Sequence, residues 1–277
     1  AKLNWDCFNV VEYDYGLTFK EALIRIAIDF NLVDGSAEKA YRDVRVKKKR
    51  PPLELRIKRR KWYNKDYAYW AQFGITPERL EFFAVFPLSN AWFLDNGQLN
   101  PIYFYNENDP CYAYHFGGYD YKLYFPLRTS KKFIHLKSDI IQGYNQLPQY
   151  GENFLFTKSF KDVMCIDSIG REFDLCSGAP MAETIVITPE QFSDVYNRFD
   201  NLATLFDLDR TGVYLARLYK ERYELPSYFF GKQYRGCVFG KPIIKDFADF
   251  RAKQGEDNLK RLVEQFIKRK NYGGEVF

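Results

Sequence analysis

Two neighbouring aspartates are the first residues in this sequence whose spacing suggests chemistry. Asp207 and Asp209 follow the apolar run at 202–206 and stand in the stretch DLDRTG. Because side chains alternate along an extended chain, the two carboxylates are expected to point the same way, and such a pair suits Mg²⁺. Gly212 then begins a predicted helix whose N-terminus is suited to a phosphate group. An ordinary helix-capping turn is the alternative, and the pattern alone does not separate the two.

A second group of polar residues lies in TKSFKDVM at 157–164, directly after an apolar run. Strand, sharp turn and helix are the expected structures, with Lys158 at the tip of the turn and Asp162 in the helix. Asp246, in KDFADF, follows the last predicted strand and serves either as a metal ligand or as a helix N-cap. Glu183 follows the second strand and either faces the same crevice or is an ordinary loop carboxylate. The candidate contacts to nucleotide phosphates are Lys158, Lys161 and Arg210.

The elements that must position these residues follow a regular pattern after Tyr150. Strands and helices alternate strictly, which predicts a parallel sheet covered by helices on both faces. In open sheets of this kind, functional groups lie at the carboxyl ends of the strands, where both acidic stretches fall. Residues 66–94 are expected to form a helix, a turn and a strand, and residues 99–147 contain short aromatic strands that predict an antiparallel sheet. The expected fold is an α+β N-terminal subdomain followed by an α/β domain with a central parallel sheet flanked by helices.

The same pattern divides the chain into five segments. A small helical segment comes first, with Thr18 as N-cap and Glu21 as its capping-box partner. A basic linker, the α+β subdomain, the α/β domain and a C-terminal helical segment follow. Their expected boundaries are 1–34, 35–65, 66–150, 151–245 and 246–277.

Charges are distributed unevenly along the chain. The net charge is +5, yet residues 45–61 contain ten Lys or Arg and one Glu. Residues 158–212 hold five basic and ten acidic side chains. A basic segment beside aromatic rings indicates binding of single-stranded nucleic acid, and a solvated linker is the plainer alternative. The predicted nucleic-acid contacts are Lys58, Arg59, Arg60, Lys61 and Trp62.

Cysteine and histidine usage argues against several kinds of site. The five cysteines are scattered without a C-x-x-C pair and the chain has only two histidines, so no zinc is expected in this chain. So few histidines also leave little for a Ser-His-Asp triad. No run of eighteen apolar residues and no signal-peptide layout occur, so no membrane partner is expected and a cytoplasmic location is predicted.

The order of these motifs resembles a known family. An apolar strand, the TKSFKDV turn, a helix ending at Gly170, DLDRTG and KDFADF together resemble the TOPRIM domain of bacterial-type DNA primases, topoisomerases and certain nucleases. Upstream, YWAQFGITPERLEFFAVFPLSNAW, YKLYFPLR and IIQGYNQLP resemble the RNA polymerase domain of phage-encoded primases of the bacterial type, with the zinc ribbon absent. The resemblance extends over roughly residues 5–255.

The resemblance implies Mg²⁺- or Mn²⁺-dependent synthesis of short RNA primers during replication. The partners it implies are a single-stranded DNA template, ribonucleoside triphosphates and a replicative helicase, in the cytoplasm of a bacterial host for a phage-encoded protein. Metal-assisted nucleotidyl transfer requires little acid–base chemistry from side chains. The implied metal ligands are Asp162, Asp207, Asp209 and Asp246. The predicted catalytic residues are Asp162, Asp207 and Asp209 of this set, together with Lys158.

Lys158 departs from the TOPRIM pattern, which usually has Glu followed by Gly at this tip. A cation cannot bind Mg²⁺, and near Asp207 it would compete with the ion for the carboxylates. In one interpretation Lys158 replaces one metal ion and grips the triphosphate. In a second, the protein is a catalytically inactive nucleic-acid-binding or replisome module, and in a third Lys158 pairs with Glu183 or Asp162. A TOPRIM nuclease with the same acids is a further alternative.

Overall fold

The structure is a computed structural model that describes residues 6–32, 53–136, 139–182, 185–207, 209–229, 237–238, 241–242, 244 and 246–270. The chain divides into two compact units, Ala1–Pro52 and Leu53–Phe277. None of the helices within the described ranges is long and apolar enough to cross a membrane.

The described part of the first unit is a pair of short helices, α1 (Cys7–Tyr15) and α2 (Phe19–Asp29). At the start of α2 the Glu21 carboxylate accepts a hydrogen bond from the Thr18 backbone N–H at 2.7 Å. This bond satisfies one of the backbone donors that a helix N-terminus leaves without an intrahelical partner. The helix start predicted at Thr18 is confirmed.

The N-terminal half of the second unit is an antiparallel sheet with two short helices. Its elements are β1 (Glu54–Arg59), α3 (Asn64–Ala71), α4 (Pro77–Phe82), β2 (Val85–Asp95), β3 (Gln98–Phe104), β4 (Tyr112–Gly117), β5 (Asp120–Tyr124) and β6 (Phe133–His135). The strand order is β1–β2–β4–β5–β6, and β3 pairs with the end of the long strand β2. The predicted antiparallel sheet in this part of the chain is therefore present.

Part of the predicted basic linker is instead a strand of this sheet. Within ELRIKR at 54–59, Leu55 is buried in the core with Leu88 and Ala91 of β2. Apolar residues thus alternate with charged ones, which is the pattern of a strand with one buried face. The high charge of the segment concealed this alternation, and the linker prediction is corrected for 54–59. Residues 33–52 lie outside the described ranges.

The C-terminal half of the second unit is an α/β layer structure. Its elements are β7 (Ile141–Gln142), β8 (Gly151–Phe156), α5 (Phe160–Gly170), β9 (Leu175–Pro180), α6 (Pro189–Tyr196), β10 (Phe199–Thr204), α7 (Arg210–Tyr223), β11 (Cys237–Val238), β12 (Lys241–Pro242), α8 (Phe247–Gln254) and α9 (Glu256–Lys270). The main sheet has the order β10–β8–β9–β7. Strands β10, β8 and β9 run parallel, as predicted, whereas β7 adds an antiparallel edge.

Helices cover both faces of this sheet. On one face Leu155 and Ala203 pack against α5, α8 and α9, and on the other Phe154 and Phe156 pack against α6 and α7. Two covered faces explain why the second half of β8, residues 154–156, is an unbroken apolar run. The segment predicted as a separate C-terminal helical region packs, in its described residues, on the sheet itself.

The two halves of the second unit share a core. Phe160, Val163 and Met164 of α5 pack with Trp70 and Tyr114 of the antiparallel half. A shared apolar core holds the carboxyl edge of the parallel strands in a fixed position relative to the antiparallel sheet.

Candidate functional site

The carboxyl ends of β8 and β10 meet at one edge of the sheet because these strands are parallel neighbours. Lys158 follows β8 and Asp207 follows β10, and their side chains form an ion pair. The Asp207 side chain is only 1% exposed, whereas 21% of the Lys158 side chain remains exposed. The ammonium group of Lys158 therefore neutralises a buried carboxylate. The ion-pair interpretation named Glu183 or Asp162 as the partner of Lys158. The structure pairs Lys158 with Asp207.

Gly212 allows α7 to begin directly against Asp207. A Cβ atom on Gly212 would lie 2.0 Å from the Asp207 carbonyl oxygen, so a larger residue requires the backbone to move. Asp209 is exposed, and its Oδ1 accepts a hydrogen bond from the Gly212 N–H at 2.9 Å as the N-cap of α7. Arg210 is exposed at the first position of that helix. Asp207 and Asp209 thus serve different contacts, one an ion pair and the other a helix cap.

Asp162 is a buried carboxyl group with both oxygens engaged. Ser159 Oγ donates to Oδ2 at 2.6 Å, and the backbone N–H of Ala248 donates to Oδ1 at 3.0 Å. Burial, together with the negative charges of Asp246 and Asp207, raises the pKa of Asp162 to about 8. Neighbouring carboxylates raise a pKa in this way when they lie close enough to repel. The three acids are therefore in one electrostatic neighbourhood.

Lys161 and Asp246 complete this neighbourhood. The Lys161 ammonium lies 4.3 Å from the centroid of the Phe73 ring. Burial acts to lower the pKa of Lys161, but the surrounding groups, Asp246 foremost among them, together outweigh it and hold that pKa above its usual value. Asp246 itself caps α8, because its Oδ1 accepts a hydrogen bond from the Asp249 N–H at 2.7 Å. The helix-capping interpretation of Asp246 is confirmed.

These contacts leave the carboxylates poorly arranged for a divalent ion. Within the described residues, no group of three or more His, Cys, Asp or Glu side chains forms a cluster that could hold a metal ion. Asp207 is paired with a lysine, and both oxygens of Asp162 accept hydrogen bonds within the protein. Glu183 lies outside the described residues.

A buried lysine that sequence reasoning did not single out lies near the end of β9. Lys122 is 4% exposed and donates to Gln142 Oε1 at 3.2 Å and to the Met181 carbonyl at 2.7 Å. Burial lowers its pKa to about 7. Gln142 in turn donates to the Pro180 carbonyl at 2.5 Å, so these polar groups tie β5 to β7 and to the carboxyl end of β9. A lysine within the otherwise apolar run YKLYF was the available signal.

The predicted nucleic-acid contacts divide into buried and exposed residues. The Arg60 guanidinium donates to both Asp66 oxygens at 2.6 and 2.8 Å, and its side chain is 6% exposed. Burial acts to raise the pKa of Asp66, but the hydrogen bonds from Arg60, the Tyr63 backbone and Tyr112 together outweigh it and lower that pKa. Trp62 stacks on Tyr67 and Tyr112 at centroid distances of 5.2 and 5.9 Å. The remaining predicted contacts, Lys58, Arg59 and Lys61, are exposed.

Comparison with known proteins identifies similar structures but no family. No protein-family model matches the chain, and no curated protein matches it. The crystal structure of the primase fragment of the bacteriophage T7 primase-helicase protein is similar at 12% sequence identity and a TM-score of 0.48, over 70% of this chain and 72% of that chain. A structure of bacteriophage T7 lagging-strand DNA polymerase interacting with primase domains bound to an RNA/DNA hybrid and dTTP is similar at 12% identity and a TM-score of 0.40, over 76% of this chain and 91% of that chain.

Proposed function

We propose that this chain is a primase-related replication protein that binds single-stranded nucleic acid without a divalent metal ion. The observation that carries the proposal is the ion pair between Lys158 and Asp207. In this pair the Lys158 ammonium group occupies the carboxylate of Asp207. In a metal-dependent site that carboxylate would bind the ion. The resemblance of the sequence motifs to primases supports the class of protein, and Lys158 supports the absence of metal-dependent synthesis.

Charge balance at the strand ends supports the same conclusion. Two cations, Lys158 and Lys161, lie among the carboxyl groups of Asp162, Asp207 and Asp246. In a metal-dependent site the bound ions supply this positive charge. Because lysines already supply it, a divalent ion gains less on entering and must displace an ammonium group from a buried carboxylate.

Lysines at this edge also suit the phosphates of a nucleic acid. An ammonium group is a strong donor to phosphate oxygens, and Lys158 is partly exposed at the end of β8. The ligands we propose are single-stranded DNA or a primer–template end, with ribonucleoside triphosphates as weaker ligands and a replicative helicase as a protein partner.

A second candidate function is Mg²⁺-dependent primer synthesis. It is favoured by the close approach of three acids, because both Asp246 and Asp207 raise the pKa of Asp162. In this alternative Asp207 would hold Mg²⁺, which would offset the charge of the triphosphate, and Lys158 would contact the triphosphate instead of Asp207. A metal-dependent nuclease would use the same acids and is distinguished by its product.

Two assays on the wild-type protein separate these functions. The first measures binding of a labelled single-stranded DNA in Mg²⁺ and in EDTA at matched ionic strength, and we expect equal affinity. The second supplies ribonucleoside triphosphates, Mg²⁺ and single-stranded template, and we expect neither RNA synthesis nor cleavage of the template. RNA synthesis by the wild type that is lost in Asp207→Asn would overturn the proposal in favour of a primase. Template cleavage by the wild type that is lost in Asp207→Asn would overturn it in favour of a nuclease.

A further inference from the structure

The sheet formed by β1, β2 and β3 has one packed side and one open side. Leu55, Ala91 and Tyr103 point to the packed side, where each is less than 5% exposed. Because side chains alternate along a strand, their sequence neighbours point to the opposite side. The open side therefore includes Lys58 and Phe104.

Strand register places these open-side residues in rows. Lys58 of β1 pairs with Asn90 of β2, and Asn90 pairs with Phe104 of β3. In the next row Arg56 pairs with Trp92. Directly paired residues in antiparallel strands share one side of the sheet, so each row brings a cation and an aromatic ring to the same surface. Lys58 and Phe104 are two strand spacings apart, or about 10 Å.

The aromatic rings of this surface are partly or largely exposed. Phe104 is 62% exposed, although its neighbour Tyr103 is buried. Trp92 is half-buried. Nearby, the Arg56 guanidinium lies 3.9 Å from the centroid of the exposed Tyr119 ring, and this stacking holds both groups in place. Flat rings held at a surface beside cations are suited to stacking with nucleobases.

The charge of this surface is positive. Lys58 is exposed on β1, and Lys61 is exposed just after the strand. The one acidic residue of β1, Glu54, is paired with Arg56 at 2.5 Å. The exposed lysines therefore remain to neutralise phosphates, which is the main source of affinity in nucleic-acid binding.

We propose that this open side of β1–β3 is a stacking platform for single-stranded nucleic acid, with Phe104 and Trp92 contacting bases and Lys58 contacting the backbone. The platform replaces Arg60 and Trp62 as the interface, since both of those residues are engaged in the core. This platform proposal rests on the proposed function, because it names the surface that binds the single strand. A duplex fits it poorly, because paired bases do not expose their faces to rings.

The experiment measures fluorescence anisotropy of labelled single strands of about 16 nucleotides, oligo-dT and oligo-U, and of a duplex of the same length. Phe104→Ala is compared with Tyr196→Ala, because Tyr196 is also 62% exposed but lies on α6. Lys58→Ala is compared with Lys268→Ala, whose side chain is 68% exposed on α9. Circular dichroism confirms that each variant is folded.

We expect Phe104→Ala to weaken binding of either single strand about tenfold, while Tyr196→Ala binds like the wild type. Lys58→Ala should also reduce the slope of log K against log salt by about 0.7, with no change for Lys268→Ala. If the wild type binds single strands and both platform variants match their controls, the platform is wrong and the proposed function stands. If the wild type binds no single strand, or binds the duplex equally well, both proposals fail.

Discussion

Lys158 and Asp207 form an ion pair that joins the ends of two parallel strands. Strand β8 leads to the lysine, and β10 leads to the aspartate at the point where α7 begins. Because Asp207 is buried, loss of Lys158 would leave the Asp207 carboxylate in an apolar environment without the cation that neutralises it. The pair therefore ties the two strand ends together, and it is the observation behind the proposal that this site works without a metal ion.

Gly212→Ala should destabilise the protein. The added Cβ would lie 2.0 Å from the Asp207 carbonyl oxygen, so the first turn of α7 must move away from the ion pair. We expect a loss of about 1–3 kcal/mol in the free energy of unfolding, measured by urea denaturation. Thr211→Ala is the control, since Thr211 is the exposed residue before it. Equal stability of the two variants would show that the close approach at Gly212 is not maintained in solution.

Arg60→Ala should destabilise the protein far more than Lys61→Ala. Removal of Arg60 leaves the buried Asp66 carboxylate without its cation, at a cost of about 3–5 kcal/mol. Lys61 is exposed, so its loss should leave stability unchanged within about 0.5 kcal/mol. Thermal and urea unfolding of both variants test the contrast. Equal stability of the two variants would indicate that Arg60 is exposed in solution, as the sequence-based prediction of a nucleic-acid contact assumed.

Lys122 should make stability depend on pH in the alkaline range. Its folded-state pKa of about 7 lies below the usual value of about 10.4, so between these values the unfolded chain binds more protons. The contribution of Lys122 to stability should therefore rise as the pH increases from 7 to 10. The measurement is the difference in unfolding free energy between the wild type and Lys122→Met at each pH.

Below pH 7 we expect this difference to be level, because Lys122 is then charged in both the folded and the unfolded states. In that range Lys122→Met should be at least as stable as the wild type, since it removes a buried charge. Gln142→Leu is a useful comparison, because it removes one hydrogen-bond acceptor of Lys122 and leaves the lysine in place. Parallel pH curves for the wild type and Lys122→Met would contradict the lowered pKa.

Periodicity was a good guide to the layers of this fold. Alternating apolar residues predicted the antiparallel sheet, and the repeated strand–helix order predicted parallel strands covered on both faces. The rule that groups converge at the carboxyl ends of parallel strands brought together Lys158 and Asp207, which are 49 residues apart. These features follow from local patterns and general chain geometry.

Long-range partners could not be predicted in the same way. Nothing local to Arg60 shows that Tyr112, on another strand, shares the carboxylate of Asp66. The burial of Lys122 depends on β7, two residues long, which joins the edge of the other sheet. A segment rich in charge was likewise interpreted as a linker although its two apolar residues place it in a strand. Each of these errors comes from tertiary contacts that override a local pattern.

Lys158→Glu should give the site a metal affinity that the wild type lacks. The change replaces the cation beside Asp207 with a carboxylate, and paired carboxylates favour Mg²⁺ and Mn²⁺. We expect Mn²⁺ to bind this variant at least tenfold more tightly than it binds the wild type, with a matching rise in melting temperature. Lys158→Gln is the control, since it removes the cation without adding a ligand.

The most direct test of the central claim is titration of the wild-type protein with Mn²⁺, followed by the paramagnetic resonance signal of the free ion. If Lys158 holds Asp207 in place of a metal ion, the wild type and Asp207→Asn should show the same weak, nonspecific binding. A specific Mn²⁺ site in the wild type that is lost in Asp207→Asn would contradict the claim.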